Sequence, residues 1–241
     1  SETEEVHEAR RTALELLFSD HVGDCLSPCH RLCPLMLNIP AMLRHIQAER
    51  VDEAIATVRQ TLPLAGVLGR LCHHPCEQGC RRGNWDSPAA IRNMERFVTD
   101  QDLNQAEPHV PSRKPVTARS VVIIGAGPTG LAAAYYLSRE GHRVIVTDRR
   151  TQAGGTLRDA KEDQLPASVL DAEITLLQRL GVEFKLGVAL GNEVRLEGLA
   201  RGFDAILLAI GEIAKDEATA LGLPLTGNSI NTDPNRCQTP M

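Results

Sequence analysis

The chain has 241 residues, enough for one or two domains, and its 42 % hydrophobic and 24 % charged content is that of a globular protein rather than a disordered one. A net charge of −5 and only 3 % aromatic residues leave no basic footprint and no stacking platform, so no nucleic-acid partner is expected. No run approaches the roughly 18 apolar residues of a membrane span, and no signal-peptide pattern opens the sequence; a soluble, cytoplasmic protein is expected.

In chain order, residues 1–18 carry Val6, Ala9, Ala13, Leu16 and Leu17 at helical spacing. A loop with Gly23, Pro28 and Pro34 then holds the first cysteines. Pro40 opens a helix to about Ala48, and residues 51–62 read as another. A second cysteine group follows Pro63-Leu64-Ala65-Gly66, and Ser87-Pro88 supply an N-cap and a first-turn proline for a helix to about Leu103. With no strand pattern before residue 118, residues 1–104 are expected to form an α-helical, cysteine-rich domain. Residues 105–119, with three prolines, are expected to be a linker. Residues 120–241 then alternate strands (120–124, 143–147, 182–186, 203–210) with helices (128–140, 166–180), the pattern of a Rossmann-type parallel sheet.

The run VVIIGAGPTGLAAAYYL sets Gly125, Gly127 and Gly130 between a strand and a helix, with Ala126, Pro128 and Thr129 filling the turn. Gly125 permits the tight turn, Gly127 lets backbone approach a pyrophosphate, and Gly130 allows close helix–strand packing. The helix N-terminus faces the phosphates. Asp148 closes the second strand, placed for a ribose hydroxyl, which suits FAD or NAD; Arg149 and Arg150 keep NADP open. Gly154-Gly155 follow the acid, and Ala209 and Gly211 end the run DAILLAIG. An acid followed by a glycine pair, and a strand returning beneath the nucleotide, resemble the FAD-binding half of flavoproteins with two dinucleotide domains. FAD is the cofactor this resemblance implies.

Six of seven cysteines form two triplets with C-x₃-C spacing: Cys25, Cys29, Cys33 and Cys72, Cys76, Cys80. Such clustering without a secretory signal reads as metal ligation. Pro28 and Pro75 inside the triplets suggest loops wrapped around a centre. Iron–sulfur clusters draw several thiolates from a short stretch. Structural zinc is the alternative, with His21, His30, His73 and His74 close by. Cys237 stands apart with no base partner and reads as an unremarkable thiol.

The runs CLSPCHRLCPLMLNIP, LPLAGVLGRLCHHPCEQGCRR and IRNMERFVTD together resemble the N-terminal iron–sulfur domain of the glutamate synthase small subunit and of dihydropyrimidine dehydrogenase. The similarity spans residues 20–100 and continues over 119–211. It implies two 4Fe–4S clusters ahead of an FAD domain. One cluster would use Cys33, Cys72, Cys76 and, in the MERF segment, Glu95. The other would use Cys25, Cys29 and Cys80, with His21 or Asp24 where the family usually supplies one more cysteine. Related flavoproteins insert a second Rossmann domain after the strand matching DAILLAIG; only about 30 residues follow it here, with no second GxGxxG, and the final segment that contacts the flavin is expected to come from a longer polypeptide or from a partner. Residues 159–164 replace a more apolar run.

The resemblance implies no acid–base or nucleophilic catalyst. The expected function is electron relay between two 4Fe–4S clusters and FAD, by an oxidoreductase subunit of a larger complex of dehydrogenase, hydrogenase or synthase type. Two other readings stand beside it: a self-sufficient NAD(P)H-dependent reductase with a longer chain, and a zinc-stapled, non-enzymatic docking module.

Overall fold

A computed structural model of the chain describes residues 2–19, 26–191, 195–226, 229–233 and 235–239. Seven helices come first: α1 (Glu4–Ser19), α2 (Pro28–Leu32), α3 (Ile39–Gln47), α4 (Val51–Arg59), α5 (Ala65–Leu71), α6 (Pro75–Gln78) and α7 (Ile91–Leu103). The cysteine segments are not loops throughout, as their prolines suggested. Pro28 and Pro75 each sit in the first turn of a short helix, where a missing N–H leaves no bond unmade. Asn38 caps α3 by accepting from the Ala41 N–H.

The helix expected from Ser87-Pro88 begins later, at Ile91, with no side-chain cap from its own N-cap residue, Ala90. Two tertiary bonds account for the delay. The Ala89 N–H is directed at the Cys80 Sγ (3.5 Å), and the Arg92 N–H at the top of α7 donates to Glu77 Oε1 (2.9 Å). Glu77, from another helix, thus performs the capping that Ser87 was expected to supply.

The α/β half follows as β1 (Ser120–Ile124), α8 (Pro128–Arg139), β2 (Arg143–Asp148), α9 (Ala167–Arg179), β3 (Val182–Leu186), α10 (Leu196–Gly202), β4 (Ala205–Leu208) and α11 (Lys215–Ala220). A short hairpin of β5 (Leu225–Thr226) and β6 (Ser229–Ile230) comes last. The strands form a four-stranded parallel sheet in the order β3-β2-β1-β4, with Ile124 beside both Thr147 and Leu208. β1 reads as an unbroken apolar run because both its faces are covered.

Two apolar cores fill the molecule. Leu37, Ile39, Met42, Ile55, Val58, Ile91 and Val98 pack in the helical half, and Cys76 belongs to the same cluster. Val121, Ile123, Leu131, Val144, Val146, Leu170 and Leu177 pack between sheet and helices. α5 belongs to both: Leu64, just before it, and Val67 enter the sheet core while Ala65 enters the helical core. The halves are further joined by a buried ion network. Arg59, at the end of α4, is fully buried; its Nη2 donates to Asp102 Oδ2 (2.9 Å) on α7 and its Nη1 to Glu173 Oε2 (3.1 Å) on α9. Burial alone would lower the Arg59 pKa, but Glu173 and then Asp102 outweigh it, and the net shift is upward.

Candidate iron–sulfur and dinucleotide sites

Packing of α2, which carries Cys29, against α6, which carries Cys76, brings the two cysteine segments together. Leu32 lies over Gly79, so close that a side chain at position 79 would collide with it. Cys76 is buried, and Cys29 and Cys33 pack on the same apolar cluster. Burial pushes the Cys76 thiol up to about 12, and negative charge on Glu77, Cys33 and Cys72 pushes the same way. Cys33 and Cys72, both half-buried, thus lie near enough to the buried Cys76 to act on it electrostatically. His74, between two of them, holds a left-handed backbone (φ 45°) and directs its N–H at the Cys72 Sγ (3.3 Å). Local strain of this kind gathers where a loop is shaped by its site.

Glu95 lies on α7 and is 7 % exposed, although nothing but the MERF resemblance pointed to it as more than a surface residue. Its Oε1 has no hydrogen-bond partner among the described residues. Burial pushes the carboxyl up to about 8, with Arg92 pulling back. A buried carboxylate oxygen without a partner is costly unless something cationic completes it. Cys33, Cys72, Cys76 and Glu95 fit a cluster in their chemistry, soft thiolates plus one hard oxygen, with Cys76 and Glu95 buried and Cys33 and Cys72 half-buried. Among the described residues no three His, Cys, Asp or Glu side chains converge as a single ion requires.

Of the second expected set, Cys29 and Cys80 are described, while Cys25, His21 and Asp24 lie outside the described residues. The Cys29 Sγ is 3.0 Å from Ser27 Oγ. The Ala89 N–H, followed by smaller contributions from the Arg82 and Gly83 N–H groups, holds the Cys80 thiol below its ordinary value. Three residues that sequence reasoning overlooked support these ligands. Glu77 caps α7, Ala89 bonds a sulfur, and Arg92 donates from Nη1 to the Cys72 carbonyl (3.0 Å).

At the other site the glycine turn behaves as its spacing predicts. Gly125 has φ +112°, and a side chain there would strike Ala209; Gly130 packs on the Gly125 carbonyl, with no room for a Cβ. Gly127 is different: a Cβ there would meet nothing within 4 Å, so the turn leaves open space above the start of α8. Pro128 occupies the first helical turn, and Thr129 is exposed beside it. The Gly154-Gly155 turn, distant in sequence, lies directly against the first: the Gly154 N–H donates to the Ala126 carbonyl (2.8 Å), and a Cβ on Gly155 would stand 2.6 Å from Gly127 Cα. Asp148 braces the turn as well as facing it, accepting from the Ala126 N–H (2.6 Å) and the Arg150 N–H (2.8 Å). Arg149 is exposed beyond it, the Ala209 N–H donates to the Ile124 carbonyl (2.7 Å), and Gly211 takes φ +75° just after the strand. An open cradle, free N–H groups at a helix start and an acid beside them fit a dinucleotide.

Residues 2–107 match the family described as dihydropyrimidine dehydrogenase domain II, 4Fe-4S cluster, and residues 123–181 match the NAD(P)-binding Rossmann-like domain. The chain is 38 % identical over 207 residues to the beta subunit of the NADP(+)-dependent formate dehydrogenase of Moorella thermoacetica, covering 77 % of this chain and 29 % of that one. It is 34 % identical over 207 residues to the PreT subunit of the NAD-dependent dihydropyrimidine dehydrogenase of Escherichia coli K12, covering 84 % and 48 %. It is 35 % identical over 208 residues to the small chain of the NADPH glutamate synthase of Mycobacterium tuberculosis, covering 85 % and 42 %. The chain thus spans less than half the length of each of these relatives. No helix among the described residues is long and apolar enough to cross a membrane. The helical half thus matches a 4Fe–4S cluster family and the α/β half a Rossmann-like dinucleotide domain, and the chain is a relative of the glutamate synthase small chain and of the dihydropyrimidine dehydrogenase subunit PreT.

Proposed function

We propose that this chain is the electron-relaying part of an oxidoreductase subunit, carrying two 4Fe–4S clusters on residues 1–104 and FAD on residues 120–241, joined by the segment 105–119. The observation that carries the reading is Glu95: a buried carboxylate oxygen, unpartnered among the described residues, on α7, whose Ile91 and Val98 pack in the apolar cluster that includes Cys76. Cys33, Cys72, Cys76 and Glu95 would hold one cluster, and Cys25, Cys29 and Cys80, with His21 as fourth ligand, the other. When bound, clusters pass single electrons and a flavin exchanges them in ones or twos.

The protein's own part is to hold and tune. The buried core around Cys76 excludes water, N–H groups of His74 and Ala89 offset thiolate charge, and the Arg92 guanidinium stands beside Glu95. Gly127 and Gly155 keep side chains away from the pyrophosphate, while Asp148 fixes the turn and faces the ribose; an acid there, with a glycine pair after it, favours FAD over a phosphorylated nucleotide. Electron donor and acceptor would be further subunits of a dehydrogenase- or synthase-type complex, as the names of the relatives indicate for those proteins. A reducing compartment such as the cytoplasm suits six ligand thiols.

Anaerobic purification followed by iron, acid-labile sulfide and flavin analysis, with EPR of the dithionite-reduced chain, tests this. Iron and sulfide sufficient for two clusters, two interacting reduced-cluster signals and released FAD are expected. Zinc without iron would sink the proposal.

A further inference from the structure

α5 and α7 meet backbone to backbone at Gly69, where a Cβ would stand 3.0 Å from the Arg96 Cα. Beside this crossing a cleft of about 300 Å³ opens between the two helices and the stretch leading into α9. Arg70, Arg92, Arg96, Asn93, Gln164 and Asp163 line it. The Arg70 side chain is 6 % exposed; its Nη2 meets Asp100 (2.7 Å), its Nη1 the Gly66 carbonyl (3.0 Å), and its Nε has no partner among the described residues. Arg92 donates to an uncharged acceptor, the Cys72 carbonyl. Arg96 reaches only the other oxygen of Asp100, at 3.5 Å. Three guanidinium groups thus line the cleft against one lining carboxylate, Asp163; Asp100 pairs with two of them, Glu95 lies near Arg92, and the buried Arg70 Nε–H is unmatched among the described residues.

We propose that this cleft is an anion site for a phosphoryl group, supplied by free phosphate or by a nucleotide. Guanidinium forks match tetrahedral oxyanions by paired, charge-assisted bonds, and a largely buried fork is already oriented. Asn93 and Gln164 add neutral carboxamide donors from opposite walls, so the ligand would touch both halves of the molecule. The volume exceeds that of a bare ion and leaves space for a sugar attached to the phosphate. No residue of the glycine turn lines the cleft, which makes it separate from the pyrophosphate cradle.

Calorimetric titration of the anaerobically purified chain in phosphate-free buffer, with inorganic phosphate and separately with AMP, tests the proposal. Arg96→Gln is the informative variant, since its side chain is half exposed and its loss leaves the packing intact. Saturable phosphate binding is expected, weakened about tenfold in Arg96→Gln at an unchanged melting temperature. Arg96-dependent binding of AMP tighter than phosphate supports the site with a nucleotide as source; AMP binding no tighter supports it with free phosphate. Absence of saturable phosphate binding, or equal affinity in Arg96→Gln, overturns it.

Discussion

Arg59 and Glu173, 114 positions apart, meet as a buried ion pair that ties the last turn of α4 to the middle of α9. Glu173 also accepts from the Gly66 N–H through Oε1 (2.7 Å), so one carboxylate serves a guanidinium and the first turn of α5 together. On the far side of Arg59, Asp102 accepts from the His109 N–H (2.7 Å), and the Tyr135 hydroxyl donates to the Arg59 carbonyl.

Removing the cation leaves two carboxylates buried without it. Arg59→Ala is expected to lower the unfolding free energy by about 3–5 kcal/mol, read from urea unfolding followed by circular dichroism. Combining Arg59→Met with Asp102→Asn and Glu173→Gln should restore much of that loss, since no uncompensated charge remains. A triple variant as unstable as the single one would show that shape, not charge, is what the site supplies.

For the metal-free chain the Glu95 carboxyl, raised from its ordinary 4.5 to about 8, sets a pH slope. A carboxyl with a raised pKa binds more proton folded than unfolded. Its contribution is therefore present below pH 4.5 and lost as pH rises through about 8. Stability should fall by about 1.4 kcal/mol for each pH unit in that window, and Glu95→Gln should flatten the slope. Denaturant midpoints between pH 5 and 9 give the comparison.

Cysteine reactivity in the metal-free chain should be sharply graded. Cys76, raised from 9.0 to about 12, is expected to alkylate roughly a thousandfold more slowly at pH 8 than an unperturbed thiol, while Cys80, held low by N–H groups, reacts early. Timed iodoacetamide labelling with peptide mass spectrometry reads the order directly. Cluster loading should protect both.

Two glycines three residues apart should fail in opposite ways. Gly127→Val finds open space, so melting stays close to that of the parent while retention of the proposed FAD is expected to be lost. Gly130→Val drives a side chain into the Gly125 carbonyl, and the β1–α8 unit should not form. Flavin fluorescence together with thermal melts distinguishes the outcomes.

Sequence alone reveals what is local. Gly125, Gly127, Gly130 and Asp148 are legible because turn, helix start and strand end follow within one βαβ unit, and the triplets because thiol spacing is conspicuous. The contact between the two glycine turns is not, since it depends on how the chain returns after β2. Nor is the start of α7, where Ser87-Pro88 promises a cap that Glu77 supplies from elsewhere. A fainter signal was present. Glu95 and Asp102 share a stripe of α7 with Ile91 and Val98, and Glu173 shares one of α9 with Leu170, Leu176 and Leu177. A charge in phase with an apolar stripe marks a buried partner whose identity only tertiary structure discloses.

Because α5 is walled on opposite sides by the two cores, neither half can open without exposing apolar surface of the other. The helix ends at Leu71, and the next residue is the proposed ligand Cys72. Whatever ion or cluster grips Cys72 therefore pulls on the same rod that Glu173 holds from the nucleotide side. Loading of the proposed cluster site is therefore expected to slow amide exchange in α5, and any effect of that loading on nucleotide affinity must be matched by an equal effect of nucleotide on cluster affinity.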